Sequence, residues 1–416
     1  MSMMKNNLIF AFATICCFVL SCKQVTKKDK GDALISESPA IAIDTTASSC
    51  PHLTHDTKGN IVLSWTRNLN DSNSVICFAV SIDNGKTFGT ATEIPASHNV
   101  NPHAENMPKL IYKPSGEVIA TWGASNPNPK NPYAGLVYFA QSFNYGKTWS
   151  EARPLVSNPQ SFDQRYFDVA LLPNGEAAII WLDNRKKNGQ EGSSIYFATT
   201  SGKDGFQHET LIGESCCECC RTSLFIDSKA NIHVAYRGII NDSIRDMVHV
   251  VSMDQGKSFS TAQRLSKDDW VITGCPHTGP TMIENKYGLH FAWYTLGSGS
   301  GLYFCSSADN GKSYTPKDSI RSKPSARHPQ LTAFPNGEML VVWDETMQRD
   351  NTPATRIGVQ KRSAEGRQLF TQYITPDTLK STYPVLQVID QSSSIIAYSQ
   401  DSKEKSHVAY QVVGFD

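Results

Sequence analysis

The chain repeats one pattern of apolar and polar stretches seven times. In each copy a short apolar run leads into a polar turn, and a second apolar run then ends on an aromatic residue. Runs of this length, separated at regular intervals by Gly, Asn or Pro, predict short antiparallel strands rather than helices. The seven aromatic markers are Trp65, Trp122, Trp181, Tyr236, Trp293, Trp343 and Tyr398.

A second repeated segment predicts hairpin turns. It has the form Ser-x-Asp/Asn-x-Gly-Lys-Ser/Thr-aromatic, and each copy follows a further apolar run. The glycine permits a positive φ, and the Asp or Asn side chain bonds the turn backbone. Clear copies start at Ser81, Ser142, Ser252 and Ser307, and decayed copies occupy residues 200–206 and 363–367.

These patterns predict an all-β fold with regular internal repeats. We expect a seven-bladed β-propeller of four-stranded antiparallel blades, formed by residues 41–416 as a single domain. The last unit, from Tyr383 onward, contains three clear strands, and residues 41–46 are predicted to supply the fourth and close the ring. A six-bladed, sialidase-type propeller is the alternative.

The N-terminus has the pattern of an export signal. Lys5 precedes an apolar core at residues 8–20, which is too short to span a bilayer as a helix, and Ser21-Cys22 follows. This segment resembles the lipobox of bacterial lipoproteins, which implies a signal peptide at residues 1–21 and lipidation of Cys22. We predict a flexible tether at residues 22–40 and a lipoprotein of the bacterial cell envelope, in the outer membrane or at the cell surface. Plain secretion is the alternative.

The charge balance argues against nucleic-acid binding. The chain has 39 basic and 39 acidic residues and therefore no formal net charge, whereas nucleic-acid-binding proteins show a basic excess. The expected partners are the membrane, through the lipid anchor, and a small ligand, a metal or a glycan. We expect a monomer or a subunit of an envelope complex.

Cysteine is concentrated in one short segment. Of 11 cysteines, four lie within residues 216–220, and Cys275 follows about one repeat later in Cys275-Pro276-His277. Counting back from the aromatic markers places these segments at the starts of innermost strands, which meet at one mouth of a propeller channel. Cys50 is expected at the same mouth. Cys77 and Cys305 lie in apolar runs and are expected to be buried as small hydrophobes.

Three interpretations of the clustered cysteines are open. An oxidising compartment favours disulfides, for example between Cys275 and Cys217, Cys219 or Cys220. The same four thiols, with His277 and the auxiliary candidates His52 and His328, are typical ligands of copper or zinc. Redox thiol chemistry is the third interpretation.

The four turn segments are similar to the Asp-box (BNR) repeats of sialidase-like propellers. That resemblance implies a cluster of arginines that binds a substrate carboxylate. Arg165, Arg221 and Arg327 stand at predicted blade starts, as do Asp168, His328 and Tyr383, and these six residues are the candidate ligand-binding set. The early Arg-containing motif of true sialidases is missing, so no catalytic residue is assigned.

Nearly the whole mature chain resembles a subgroup of exported bacterial Asp-box proteins. The matching segments are residues 104–109, 165–168, 215–221, 244–246 and 268–280, which include a Cys-rich loop and a Cys-Pro-His-x-Gly-Pro loop. The resemblance implies that these two loops act together. We predict a lipid-anchored propeller that binds a ligand, with a soft metal such as copper first, at a Cys/His/Arg site at the mouth. The alternatives are an exo-sialidase or other glycoside hydrolase acting on acidic glycans, and a disulfide-locked protein-interaction module.

Overall fold

A computed structural model of the chain describes residues 35–185, 189, 191–349, 352–402 and 405–415. The predicted signal peptide, Cys22 and the tether as far as residue 34 lie outside the described residues and stay predictions. Helices in the described ranges are limited to three single 3-10 turns, and none is long and apolar enough to cross a bilayer. These turns are Pro95–Ser97, Ala104–Asn106 and Gly202–Asp204.

Antiparallel strands form almost all of the remaining regular structure. The chain starts with β1 (Ile35–Glu37) and β2 (Ile41–Ala42). Five separate four-stranded sheets follow in chain order. Their strands are β3 (Ser48–His55), β4 (Ile61–Asn68), β5 (Ser74–Ser81), β6 (Thr92–Glu93); β7 (Lys109–Tyr112), β8 (Val118–Ser125), β9 (Gly135–Ser142), β10 (Arg153–Pro154); β11 (Gln164–Leu171), β12 (Ala177–Asp183), β13 (Ser193–Thr200), β14 (Phe206–Cys216); β15 (Ser223–Ile226), β16 (Ile232–Arg237), β17 (Met247–Ser252), β18 (Gln263–Arg264); and β19 (Thr281–Asn285), β20 (Gly288–Thr295), β21 (Gly301–Ser307), β22 (Asp318–Arg321).

The C-terminal part of the chain, together with β1 and β2, forms a nine-stranded sheet that contains two further blades. A single parallel bridge, Thr355 to Lys380, joins them. The sixth blade comprises β23 (Ala326–Ala333), β24 (Met339–Arg349), β25 (Thr352–Arg362) and β26 (Gln368–Tyr373). The seventh comprises β27 (Lys380–Val388), β28 (Ser393–Asp401) and β29 (Ser406–Phe415), with β1 and β2 added at its outer edge.

The innermost strands form a closed ring. Each of β3, β7, β11, β15, β19, β23 and β27 contacts the next, and β27 contacts β3. The fold is therefore the seven-bladed propeller that the repeat predicts, one blade more than the alternative.

The N-terminal strands close the ring against the C-terminal strand. Ile41 of β2 pairs with Tyr410, within the segment predicted to supply the missing strand. Ile35 of β1 pairs with Phe415, although β1 lies in the range predicted as tether. Pairing both termini in one blade removes the exposed sheet edges that a broken ring would leave.

The apolar core lies between neighbouring blades, and the tryptophan markers are its largest members. All five Trp side chains among the seven markers are fully buried. Four of their indole N–H groups donate to a side-chain oxygen, as buried indoles require. The pairs are Trp65 with Asp44, Trp122 with Asn99, Trp181 with Asp183 and Trp293 with Asp268.

The predicted hairpin turns join the third and fourth strands of their blades. In the first, Asp83 Oδ1 accepts a bond from the Thr87 backbone N–H at 2.9 Å, and Asp83 Oδ2 accepts one from the Thr87 hydroxyl at 2.6 Å. Asn144 makes the equivalent pair with Thr148 in the second turn, donating from its amide to the hydroxyl. The turns are thus held by bonds within seven residues of sequence.

These turns and the candidate site lie at opposite ends of the blades. In the first blade Ser49 pairs with Thr66, whereas His55 pairs with Ile61, and Ile61 pairs with Ser81 at the start of the hairpin turn. We call the end where innermost strands begin the mouth, and the end that carries the hairpin turns the base.

Candidate functional site

Four innermost strands begin with a bulge that strains one residue. Cys50, Tyr166, His328 and Tyr383 have φ of 57°, 51°, 52° and 52°, and the strand register shifts at each of them. A positive φ is unfavourable for a non-glycine residue and persists only where surrounding contacts hold it. Three of the four precede a proline. Such bulges re-aim side chains next to functional sites, and here they mark the mouth.

Three cysteines of the Cys-rich segment come together between β14 and β15. Cys217 Sγ lies 3.5 Å from Cys219 Sγ and 4.0 Å from Cys220 Sγ, and all three sulfurs lie within 4.8 Å of one another. All three residues are buried. We call Cys217, Cys219 and Cys220 the thiol trio. Cys216 lies apart from it, in an apolar cluster with Tyr236 and other core residues of the third and fourth blades.

Two arginines donate hydrogen bonds to the trio. Arg237 Nε lies 3.3 Å from Cys220 Sγ, and Arg245 Nη1 lies 3.5 Å from Cys217 Sγ. Arg237 is 1% exposed and is held by the backbone carbonyls of Arg245, Thr278 and Tyr294. Its guanidinium stacks on the Trp270 ring at 4.9 Å. The sulfurs of Cys217 and Cys220 therefore lie in a buried, positively charged setting.

That setting favours one thiolate at Cys217. Hydrogen bonds from the Cys219 and Cys220 thiols lower the pKa of Cys217 well below its usual range, and the Arg237 charge adds to this. Burial raises the pKa of Cys220, and the bond to Cys217 raises the pKa of Cys219. Cys217 is therefore the thiol of the trio whose deprotonation its surroundings favour most.

Cys275 and His277 lie beside the trio rather than in it. Both are exposed, and both line a cleft of about 510 Å³ whose wall includes Cys219. All eight cysteines of the described ranges are free thiols, including Cys275. Cys77 and Cys305 are buried in the core, as the sequence predicts.

The cleft has an aromatic and polar wall opposite the cysteines. The His103 and Tyr166 rings meet edge to face at 5.7 Å, and His103 Nδ1 is a buried nitrogen without a hydrogen-bond partner among the described residues. The Tyr166 backbone N–H donates to Asn106 Oδ1, which fixes the strained bulge. Arg165 completes this wall, and the exposed Tyr133 stands at its rim.

The three predicted arginines have separate partners. Both oxygens of Asp163 accept bonds from Arg165, at 2.6 and 2.9 Å. Arg221 is buried, with Nη1 2.9 Å from Glu105 Oε1 and Nη2 bonded to the Pro329 carbonyl. Arg327 is exposed, 5.4 Å from the centre of the Tyr294 ring.

His328 and Tyr383 form a stacked pair at the mouth. Their ring centres are 4.0 Å apart, and Asp344 Oδ2 accepts bonds from the Tyr383 backbone and, at 2.7 Å, from His328 Nδ1. Burial alone would lower the pKa of His328, but the Asp344 carboxylate outweighs it and raises that pKa above its usual value. The other ring nitrogen lies 3.2 Å from the His277 carbonyl.

Asp168 and His52 belong to the channel interior. Asp168 accepts bonds from Lys109 Nζ and the Leu224 backbone, both at 2.7 Å. Burial and the Lys109 charge lower the pKa of His52 to about 3, so it is neutral. Both residues line a small cavity of about 130 Å³ with Arg221, and neither lies in the cleft wall.

Sequence reasoning missed the cations of the site. Arg237 directly follows the marker Tyr236, which places it at the mouth end of β16. Arg245 lies in the segment 244–246, whose sequence by itself does not indicate contact with the cysteines. An arginine next to a marker, in a blade whose start is Cys-rich, is the signal that could have found Arg237.

No protein-family model matches the chain, and no curated protein matches it in sequence. Its fold is similar to that of a protein of unknown function from Dyadobacter fermentans, at TM-score 0.55 and 13% identity, over 92% of this chain and 99% of that one. Polysaccharide lyase Uly1 is similar at TM-score 0.54 and 9% identity, over 90% and 91%.

The Hadza microbial sialidase Hz136 is similar at TM-score 0.50 and 12% identity, over 88% of this chain and 66% of the sialidase. Identities this low show a shared fold and not a shared activity. The chain is therefore a β-propeller, and its fold is similar to that of a sialidase.

Proposed function

We propose that the protein binds a soft metal ion, with Cu(I) as the first expectation, through Cys217, Cys219 and Cys220. The observation that carries this proposal is the thiol trio: three buried sulfurs within 4.8 Å of one another. Metal–sulfur bonds of about 2.3 Å separate the sulfurs by about 3.8 Å at tetrahedral angles and by about 4.0 Å at the angles of about 120° in a three-ligand site. The 3.5 and 4.0 Å separations are close to these values.

Charge balance supports the same ion. Three thiolates around a monovalent ion carry two negative charges, and buried charge is tolerated only when it is paired. Arg237 and Arg245 supply two positive charges within hydrogen-bond reach of the sulfurs, and Arg245 shares its charge with the exposed Glu191. Thiolate ligands alone select Cu(I) and other soft ions over hard ones.

The cleft offers a route to the trio. Cys219 belongs both to the trio and to the cleft wall, so one ligand faces outward. Cys275 and His277, on the same wall, are auxiliary donors for an ion that enters through the cleft. Zn(II), which prefers four ligands, would need one of them as its fourth.

The test uses the full chain under reducing, oxygen-free conditions, in competition with a coloured Cu(I) chelator. We expect the wild-type protein to withdraw one equivalent of Cu(I) and Cys217→Ser to withdraw much less. Cys216→Ala is the matched control, since its sulfur lies in the apolar cluster and not in the trio. Thiol counting under denaturing conditions, on protein isolated without reductant, accompanies the titration.

Two outcomes would change the proposal. Failure to compete for Cu(I), with Cys217, Cys219, Cys220 and Cys275 oxidised in two pairs, would replace the metal with disulfides that shape the cleft. Preference for Zn(II) over Cu(I) would keep the site and change the ion.

Hydrolysis of an acidic glycan is a second candidate, favoured by the dimensions of the cleft. About 510 Å³ lies in the range of small-molecule sites, and Arg165 with the His103–Tyr166 pair supplies polar groups to it. Release of a fluorogenic sialoside, lost in Arg165→Ala, would support an enzyme. Activity that survives Arg165→Ala would place any catalysis elsewhere.

A further inference from the structure

The base of the propeller carries exposed apolar side chains at equivalent positions of several blades. In three of the clear hairpin turns, the residue after the first Ser is large, apolar and projects into solvent. These residues are Ile82, Phe143 and Met253, which are 85%, 47% and 61% exposed. Tyr145, Leu171 and Tyr287 add exposed apolar surface at the same end.

Lysines accompany these apolar tips. Lys86, Lys147 and Lys257 occupy the same position in each turn and are exposed. The Asp83 and Asp254 carboxylates of these turns instead bond the hydroxyls and backbone of their own turn. Apolar side chains and flexible amines therefore point outward together, a combination that suits a membrane interface, where lysine stems extend past buried apolar groups.

The chain enters the propeller at this same end. Ile35 pairs with Phe415, and the neighbouring Gly414 pairs with Ser393, beside the base turn of the seventh blade. The predicted lipid site, Cys22, precedes Ile35 by the twelve residues 23–34, which reach at most about 40 Å. A lipid on Cys22 would thus be connected to the propeller through the end that carries the apolar tips.

We propose that the base docks on a phospholipid surface, so that the mouth and its cleft face away from the bilayer. Ile82, Phe143 and Met253 are the contact points, and they lie on three different blades. Contacts on separate blades fix the tilt of the ring, which a single flexible tether does not. The proposal does not rest on metal binding at the trio.

Orientation is measured on the full chain with its native N-terminus, reconstituted in vesicles of phosphatidylethanolamine and phosphatidylglycerol. A donor dye is attached to Cys275, the exposed cysteine of the described ranges, and acceptor dye labels the lipid headgroups. We expect weak energy transfer in the wild type. The combined variant Ile82→Ser, Phe143→Ser and Met253→Ser should raise the transfer at least twofold, because the ring would tumble on its tether.

A matched variant removes three exposed apolar side chains at the mouth end: Leu69→Ser, Val271→Ser and Leu296→Ser. We expect it to leave the transfer unchanged. All six positions are exposed, so both variants should keep the wild-type melting temperature. Transfer that is already strong in the wild type, that ignores the base variant, or that rises equally in the mouth variant would overturn the proposal, as would a chain that does not associate with the vesicles.

Discussion

At the scale of single residues, Arg237 shows how a buried cation organises a sulfur cluster. Its side chain is buried beside the trio, and its other N–H groups donate to three backbone carbonyls. The guanidinium therefore cannot turn away from Cys220 without leaving buried acceptors unpaired. Arg245 is less constrained, because its Nη2 bonds the exposed Glu191.

Arg245 is accordingly the better residue for a test of the electrostatics. In Arg245→Gln we expect the thiolate pKa of Cys217 to rise and Cu(I) to bind roughly tenfold more weakly, the usual effect of losing a group that supports a metal ligand. Thiolate absorbance against pH and chelator competition measure the two effects. Arg264→Gln is the control, since Arg264 pairs with Asp246 and Asp269 and not with sulfur. Equal behaviour of the two variants would contradict a role for Arg245.

His328 gives the mouth a pH dependence of defined sign. Because Asp344 raises the folded pKa above the unfolded value of about 6.5, protonation of His328 stabilises the fold fully below that pH. The contribution is lost as the pH rises through the folded pKa. We expect the difference in unfolding free energy between wild type and His328→Gln to shrink from about pH 6.5 upward. Denaturant titrations at several pH values check this, and a constant difference would refute it.

The residues of the site could be predicted from the sequence only as a set. The spacing from the markers placed the cysteines, His328 and Tyr383 at one mouth. It could not separate Cys275 from the trio, because that distinction depends on how two loops of different blades pack. Nor could it show that Glu105, from the second blade, forms an ion pair with Arg221.

At the scale of elements, the hairpin turns are self-contained. The hydrogen bonds of the first turn join Ser81, Asp83 and Thr87 within one short segment, so the turn can be predicted from the sequence. The mouth bulges are the opposite case. The strain at Tyr166 and Tyr383 is held by Asn106 and Asp344 from neighbouring blades, which no local pattern reveals.

In the first hairpin turn, the effect of the Asp83 charge can be separated from the effect of its hydrogen-bonding side chain. Bonds from Thr87 and Ser81 lower the pKa of Asp83 to about 2, so its stabilising effect is present at neutral pH and is lost as the pH falls toward that value. We expect Asp83→Ala to lower the melting temperature more than Asp83→Asn, since Asn144 already serves this position in the second turn. Asp83→Asn should also remove part of the acid sensitivity. Thermal melts at neutral and acidic pH decide, and identical effects of Ala and Asn would contradict this interpretation.

At the scale of the whole molecule, closure of the ring depends on the contacts of Asp44, which we call the latch. Asp44 Oδ2 accepts a bond from the Trp65 indole at 3.0 Å and pairs with Arg67 Nε at 2.6 Å. The segment that closes the seventh blade is thereby fixed to the first blade. The number of blades was predictable because strand pairs repeat, whereas this latch joins the first blade to a segment outside the repeat.

Loss of the latch should loosen both ends of the chain together. Relative to the wild type, we expect Asp44→Ala to accelerate hydrogen exchange in β29 and β4 more than in β16. We also expect it to lower the melting temperature. Asp71→Asn, an exposed change at the mouth end, is the control. Uniform exchange across all blades would show that the ring opens as one unit and that Asp44 is not a latch.

The strained bulges also bear on how such a mouth changes over evolutionary time. One backbone shape holds a cysteine, two tyrosines and a histidine at four equivalent places. Because neighbouring blades hold the backbone at Tyr166, His328 and Tyr383, a side chain there can be exchanged without loss of the bulge, although the stacked pair His328 and Tyr383 would have to change together. Each bulge is therefore a fixed backbone position at which a different side chain would change the reactivity of the mouth while the fold is kept.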